Sequence, residues 1–282
     1  MAITVYANPG IGDAYWALMK TLPHSEVHLK VLQCSTFRSG FLASLHGVLS
    51  VEQFPLNHAA FMQKAAHHYG EYASGIKDEM YLDVNTWLEQ GKRIETYLPN
   101  LDTQHRLDWK LTRDGYRKAR VYLEPNKRNI VIYTSSVNNN NSPSTGSWDY
   151  ARWVNTIEHM HSRFTNANFI WLGAQYDTDI LPYLAKFKDM KKAVAEDADT
   201  VMHLLLNASC FVSYQSGLSV LSTYNFVPTY MLYFNKLDLL RYSWCPPQLV
   251  NNPLVYKPVL FDQAVNGYTD IGDWAEQVTK HC

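Results

Sequence analysis

Three short stretches combine small residues with groups able to do chemistry, and each follows an apolar run that reads as a β-strand. Gly10-Ile11-Gly12-Asp13 follows Ala2 to Ala7 (AITVYA) and opens a helical pattern. The glycines allow a tight turn and a close backbone approach to a ligand, which makes Gly12 a donor-binding candidate. Asp13 then stands at a helix N-terminus. It reads either as an N-cap or as a carboxylate base at the carboxyl edge of the first strand, where α/β folds place their chemistry. Gln215-Ser216-Gly217-Leu218-Ser219 follows Cys210 to Tyr214 (CFVSY) and opens a second helix. Small residues and unpaired helix N–H groups suit a phosphate there, with a plain Ser216 cap as the alternative. Thr134-Ser135-Ser136 occupies the same place after Asn129 to Tyr133 (NIVIY). Two such openings in one domain suit a diphosphate better than either does alone.

Several other chemistries are excluded. A dinucleotide fingerprint fails because Tyr15 stands at the third glycine position, and Tyr183-Leu184-Ala185-Lys186 lacks the Tyr-x-x-x-Lys spacing of a nicotinamide epimerase. His24 and His28 are four apart, but Pro23 precedes them and HLKVLQ reads as a strand, so their rings do not share a helical face. No metal ligand set is therefore expected. Asp177-Thr178-Asp179 has the spacing of a metal-binding carboxylate pair but opens a helix. Cys34, Cys210, Cys245 and Cys282 are far apart and suggest thiols in a reducing, cytoplasmic setting.

The elements that must position these residues follow from periodicity. From 129 onward, strands at Asn129 to Tyr133, Asn168 to Leu172, Cys210 to Tyr214 and Thr229 to Tyr233 alternate with helices of about ten residues. That pattern predicts parallel βαβ units in a sheet covered on both faces. Before it, Ala2 to Ala7, His28 to Gln33 and Val51 to Phe54 read as strands, and His58 to Leu98 as mostly helical with a stripe of Phe61, Ala65, Tyr69 and Tyr72. The polar stretch Thr134 to Ser147 is a long loop. The fold class is α/β with two Rossmann-like domains, 1–124 and 125–282, facing a central cleft in the GT-B manner. The last helix, Asp270 to Lys280, is a candidate to cross back to the first domain.

The 282 residues are 46% hydrophobic and 18% charged with a net charge of −1, enough for two cores and no general attraction for a polyanion. No apolar run is long enough to span a membrane, and the N-terminus does not read as a signal peptide. One basic run stands out. Arg106 to Arg120 holds six basic residues against two acidic ones, with Trp109 and Tyr116 interleaved. It is either a solvated helix face or a surface for phosphates of donor, acceptor or nucleic acid, with Arg113 and Arg117 as the acceptor-binding candidates.

These motifs resemble those of the ADP-heptose:lipopolysaccharide heptosyltransferases. The Gly10 to Asp13 turn, with its helix ending at Leu22-Pro23, is similar to that family's small-x-Gly-Asp opening, which carries the catalytic aspartate. Tyr214 to Ser219, followed by Val227-Pro228-Thr229, resembles the family's Asp-[Ser/Thr]-Gly-x-x-His box and its Val-Pro-Thr turn. Trp148 to Trp153 resembles its tryptophan-bearing helix, and Phe169 to Ala174 the strand before its ribose-binding acid. The resemblance implies an inverting, metal-independent transferase with a nucleotide-diphosphate sugar as co-substrate and no cofactor. Asp13 is then the base and Asp177 the ribose ligand. Gly12, Ser135, Ser136, Gln215, Ser216, Gly217 and Leu218 line the donor. Gln215 departs from the family's Asp and Val220 from its His, and no Lys lies close to Ser135 or Ser136. Residues 25–120 match nothing in the family. The resemblance implies a carbohydrate or other small hydroxyl acceptor, with a hydroxymethylated base in flipped-out DNA as the rival acceptor and a non-catalytic nucleotide-binding relative as the rival class.

Overall fold

The computed structural model describes residues 2–32, 36–55, 57–68, 75–90, 107–135, 150–233, 236, 239–240, 252, 256–260 and 267–279. The chain divides into two compact units, Met1–Thr112 and Arg113–Cys282. Each is built on its own parallel sheet.

In the first unit, β1 (Ala2–Ala7), β2 (Glu26–Leu32), β3 (Val48–Phe54) and β4 (Glu79–Leu82) form a four-stranded sheet in the order β3-β2-β1-β4. The helices are α1 (Ile11–Thr21), α2 (Thr36–Ala43), α3 (His58–His68) and α4 (Val84–Glu89). Side chains alternate along β1 and β2. Ile3, Val5 and Ala7 are buried with Val27, Leu29 and Val31. Thr4, Tyr6, His28 and Lys30 take the other face, where the Tyr6 ring stacks on Tyr81 at 4.2 Å. Within α1 every residue except Asp13 is buried, so propensity matters less here than the surroundings that enclose the helix.

The helical reading of His58 to Leu98 is corrected. Phe61 and Ala65 are buried on α3 as expected, but Glu79–Leu82 is a strand paired with β1. Only four residues long, with Met80, Tyr81 and Leu82 all buried, it shows no alternation that would distinguish it from a helix turn. Tyr69, Tyr72 and residues 91–98 lie outside the described residues.

The second unit runs α5 (Arg113–Ala119), β5 (Arg128–Tyr133), α6 (Tyr150–Arg163), β6 (Ala167–Gly173), a 3-10 segment (Gln175–Ile180) and α7 (Leu181–Leu184). It continues through β7 (Lys191–Val194), α8 (Ala198–Leu206), β8 (Cys210–Tyr214), α9 (Gly217–Tyr224), β9 (Thr229–Tyr233), β10 (Tyr256–Leu260) and α10 (Gly267–Thr279). The parallel sheet has the order β10-β9-β8-β5-β6-β7, that of a doubly wound α/β fold. Every residue of β8 and β9 is buried, as a sheet covered on both faces requires. Strand β10 escapes sequence reading because Pro258 interrupts it; Pro is tolerated there because the strand lies at the sheet edge.

The compact units divide at a different residue from the boundary expected from the sequence. The division falls before α5 rather than at 124/125, because the segment after Thr112 is tied into the second unit. Lys118 pairs with Asp197 at 2.7 Å, and the Asn168 amide donates to the Tyr122 carbonyl at 2.7 Å. The basic run is thus shared between units, and Arg106 lies outside the described residues. Helix α10 buries Ile271, Trp274, Ala275 and Val278 in the second unit's own core and pairs Asp273 and Glu276 with Arg163.

One half-buried histidine should make this unit acid-sensitive. The His161 ring stacks on Phe169 at 3.9 Å and on Phe187 at 5.1 Å, and burial holds its pKa below the usual histidine value. The unfolded chain therefore binds a proton near pH 6.5 that the folded unit resists, and stability falls as pH drops from about 6.5. Thermal melts should show a lower Tm at pH 5.5 than at 7.5, and His161→Phe should shrink that difference. An undiminished difference in the variant would place the acid sensitivity elsewhere.

Candidate functional site

In each sheet the chemistry-bearing residues gather where the strand order reverses. In the first unit the chain leaves β1 towards β2 and β3, while β4 lies on the other flank, so the crevice opens at the carboxyl ends of β1 and β4. Asn8-Pro9-Gly10 leads from β1 into α1. The N-cap is Gly10, with Asp13 the third helical residue. This sets aside the reading of Asp13 as the cap. Its carboxylate folds back over the turn: a Cβ on Gly10 would stand 2.4 Å from Asp13 Oδ2, so only glycine leaves the carboxylate its place. Asp13 keeps partial exposure in an otherwise buried helix, and the N-terminal dipole favours its negative charge. Gly12 is buried beside it, and the Arg38 guanidinium donates to the Pro9 carbonyl of the same turn at 3.3 Å.

Sequence reading passes over Asp83 because β4 is not legible as a strand. Ala7 and Leu82 are register partners, which puts Asn8 and Asp83 at the next positions along the crevice, both buried. Asp83 Oδ1 accepts from the Thr86 N–H at 3.1 Å and caps α4.

In the second unit the reversal lies between β5 and β8. Ser135 follows β5 and Gln215 to Leu218 follow β8, so the sheet brings these sequence-distant candidates to one edge. Ser136 lies outside the described residues, as does Trp148. Ser216 is the N-cap of α9. Its hydroxyl accepts from the Ser219 N–H at 3.2 Å, and Ser219 Oγ accepts from the Ser216 N–H at 2.8 Å. That reciprocal cap consumes the Ser216 N–H and leaves those of Gly217 and Leu218, at the first two helical positions, without intrahelical partners. The Gln215 N–H donates to the Leu232 carbonyl at 2.8 Å, holding the turn against β9. Val220, where the resemblance leads one to expect His, is 4% exposed and packed inside.

Asp177 joins the same edge from β6. It is buried, and its carboxyl accepts from the Ala174 N–H at 2.8 Å and from the Ser135 and Tyr133 hydroxyls. Burial nonetheless pushes its pKa up. Two of the candidates predicted from the sequence, Ser135 and Asp177, are thus hydrogen-bonded to one another. Arg113 and Arg117 are exposed on α5 in the second unit, and Arg117 pairs with Asp114 at 2.5 Å. No group of three or more His, Cys, Asp or Glu arranged to hold a metal occurs among the described residues, and no described helix is long and apolar enough to cross a membrane.

Two parallel sheets flanked by helices, each with small residues and an acid or a helix N-terminus at its reversal point, define a two-domain Rossmann-like α/β fold. Solved structures of that class match the whole chain. E. coli ADP-heptose lps heptosyltransferase II is similar with a TM-score of 0.62 at 11% identity, covering 100% of this chain and 99% of that one. A glycosyl transferase family 9 protein from Veillonella parvula DSM 2008 gives 0.64 at 10% identity, covering 100% and 97%. E. coli heptosyltransferase WaaC with ADP gives 0.62 at 10% identity, covering 99% and 100%. No protein-family model matches the sequence, and no curated protein is similar to it by sequence. At such identities the likeness speaks for the fold.

Proposed function

We propose that the protein is an inverting glycosyltransferase that moves a sugar from a nucleotide-diphosphate donor to a hydroxyl of a saccharide. The observation that carries this reading is the placement of Asp13. It is the one residue of α1 left unburied, seated by Gly10 at the carboxyl edge of β1 in a chain that matches heptosyltransferase folds over its full length. Asp13 takes the proton from the acceptor hydroxyl as its oxygen attacks the anomeric carbon. The bond from that carbon to the diphosphate breaks, and the nucleoside diphosphate leaves with the electron pair. The N–H groups of Gly217 and Leu218, with Ser135, receive the developing charge. Asp177 orients Ser135 and faces the donor ribose.

A saccharide acceptor is favoured over DNA by the fate of the basic run. Lys118 is paired with Asp114 and Asp197, and Arg117 with Asp114, so much of the helix's charge is answered within the second unit. The test is transfer of labelled sugar, across a panel of nucleotide sugars, to oligosaccharides and in parallel to hydroxymethylated duplex DNA. Salt-sensitive incorporation into DNA that falls with Arg113→Ala plus Arg117→Ala would replace the saccharide reading. Nucleotide binding with no turnover on any acceptor would leave a non-catalytic relative.

The reaction is proposed to run without a metal. The Asp177-Thr178-Asp179 pair is poorly placed to bind one, because the Asp177 carboxyl is buried and already accepts three hydrogen bonds. Transfer should therefore survive EDTA at full rate. Loss on chelation with recovery on adding Mn²⁺ or Mg²⁺ would make that pair the metal site instead.

A further inference from the structure

At the carboxyl edge of the second sheet, two tyrosines stand in the open. Tyr150 opens α6 at 39% exposure and Tyr183 sits on α7 at 53%. Their rings are 5.2 Å apart and tilted by 41°. Exposed aromatic pairs forgo the stabilisation that burial of their rings in a core would bring. Among the described residues, neither ring belongs to the hydrophobic core cluster of the unit. What they adjoin is polar. Partial burial, and then the charges of Asp179 and, more weakly, Asp177, hold the Tyr150 phenol above the ordinary tyrosine range.

The strand order gives this pair a direction. Along the carboxyl edge the sequence is β8, β5, β6, bearing in turn the Gly217 and Leu218 N–H groups, Ser135, and the Asp177–Asp179 turn. Neighbouring strands are about 4.8 Å apart. A nucleoside diphosphate laid along this edge, with its phosphates at α9 and its ribose at Asp177, ends with its base at the β6 flank. That flank is where the tyrosines lie.

We propose that Tyr150 and Tyr183 form the stacking platform for the nucleobase of the donor, with Asp179 as an exposed acceptor for the base's N–H groups. The inference rests on the nucleotide-sugar reading above and extends it to the part of the donor that the small-residue turns do not touch. Stacking on tyrosine suits any base, because every base has a π face, and so it supplies affinity more than choice of base.

The test is calorimetric titration of the full chain with ADP, GDP, UDP and CDP, and with inorganic pyrophosphate as the probe lacking a base. The wild-type protein should bind at least one nucleoside diphosphate more tightly than pyrophosphate. Tyr183→Ala should weaken that nucleotide about tenfold to a hundredfold, the range for losing one base–aromatic stack, and leave pyrophosphate unchanged. Tyr150→Ala should do likewise, and Tyr183→Phe should restore binding; far-UV circular dichroism and a melt confirm that each variant is folded. Nucleotide binding unaltered in both alanine variants would overturn the platform while sparing the diphosphate site. So would an equal loss for pyrophosphate, which reports a general structural effect. A wild-type protein that binds neither nucleotide nor pyrophosphate would instead overturn the nucleotide-sugar reading itself.

Discussion

Asp13→Asn should keep the fold and the affinity for donor and lower turnover by more than about 100-fold, the usual range for losing a general base. Asn is nearly the size of Asp and offers the same hydrogen-bonding reach but has no basic oxygen of comparable strength, so it separates charge and basicity from shape. The helix itself should tolerate the change, since Gly10 and not Asp13 is the N-cap and α1 is held by burial on nearly every side. Loss of a favourable charge–dipole contact costs only about 0.3–1 kcal/mol. A second variant reaches the same carboxylate without altering it. Gly10→Ala puts a methyl group within 2.4 Å of Asp13 Oδ2, so the carboxylate must move. Its kcat should fall while donor affinity holds. Steady-state kinetics beside donor titration read both, and an Asp13→Asn protein with wild-type turnover would remove Asp13 as the base.

Gly217→Val is expected to abolish detectable donor binding with little change in the melting temperature of the free protein. Gly217 is the first helical residue of α9, directly after the Ser216 cap, and the cap is made by Ser216 and Ser219 alone. A branched side chain would screen the Gly217 and Leu218 N–H groups from a diphosphate while the Ser216–Ser219 bonds persist. If glycine were needed for the turn itself, stability would fall together with binding. Calorimetry with the donor nucleotide beside a thermal melt distinguishes the two outcomes.

The turns that carry the candidate site are legible because their signals are local. A β-branched or aromatic run, a glycine or serine, and then a helical period need only about ten residues of sequence, and the turns around Asp13 and Gly217 have that form, while Ser135 follows such a run and leads into a long polar loop. The strands β4 and β10 lack it. One is a buried tetrad with no alternation and the other carries a proline that only its edge position permits. Missing β4 hides the crevice partner of β1 and with it Asp83. Arg113 and Arg117 fall in the second unit, on α5, for a related reason. Which unit a short exposed helix joins is decided by contacts such as Lys118 with Asp197, 79 residues apart in sequence.

What the sequence determined by itself is the class of fold and the points along the chain where backbone turns and small residues permit a ligand to approach. These depend on steric preferences and hydrophobic periodicity acting over a few neighbours. What only the tertiary structure decided is how those points are used. Pairing of β5 with both β6 and β8 sets Ser135 between Asp177 and the α9 N-terminus, and burial turns Asp177 from a free carboxylate into one that accepts from Ser135, Tyr133 and Ala174. Enclosure of α1 leaves Asp13 as its one unburied residue, and the missing Cβ of Gly10 gives that carboxylate its place. Burial, register and strand order are properties of long-range packing, and no window of the chain contains them.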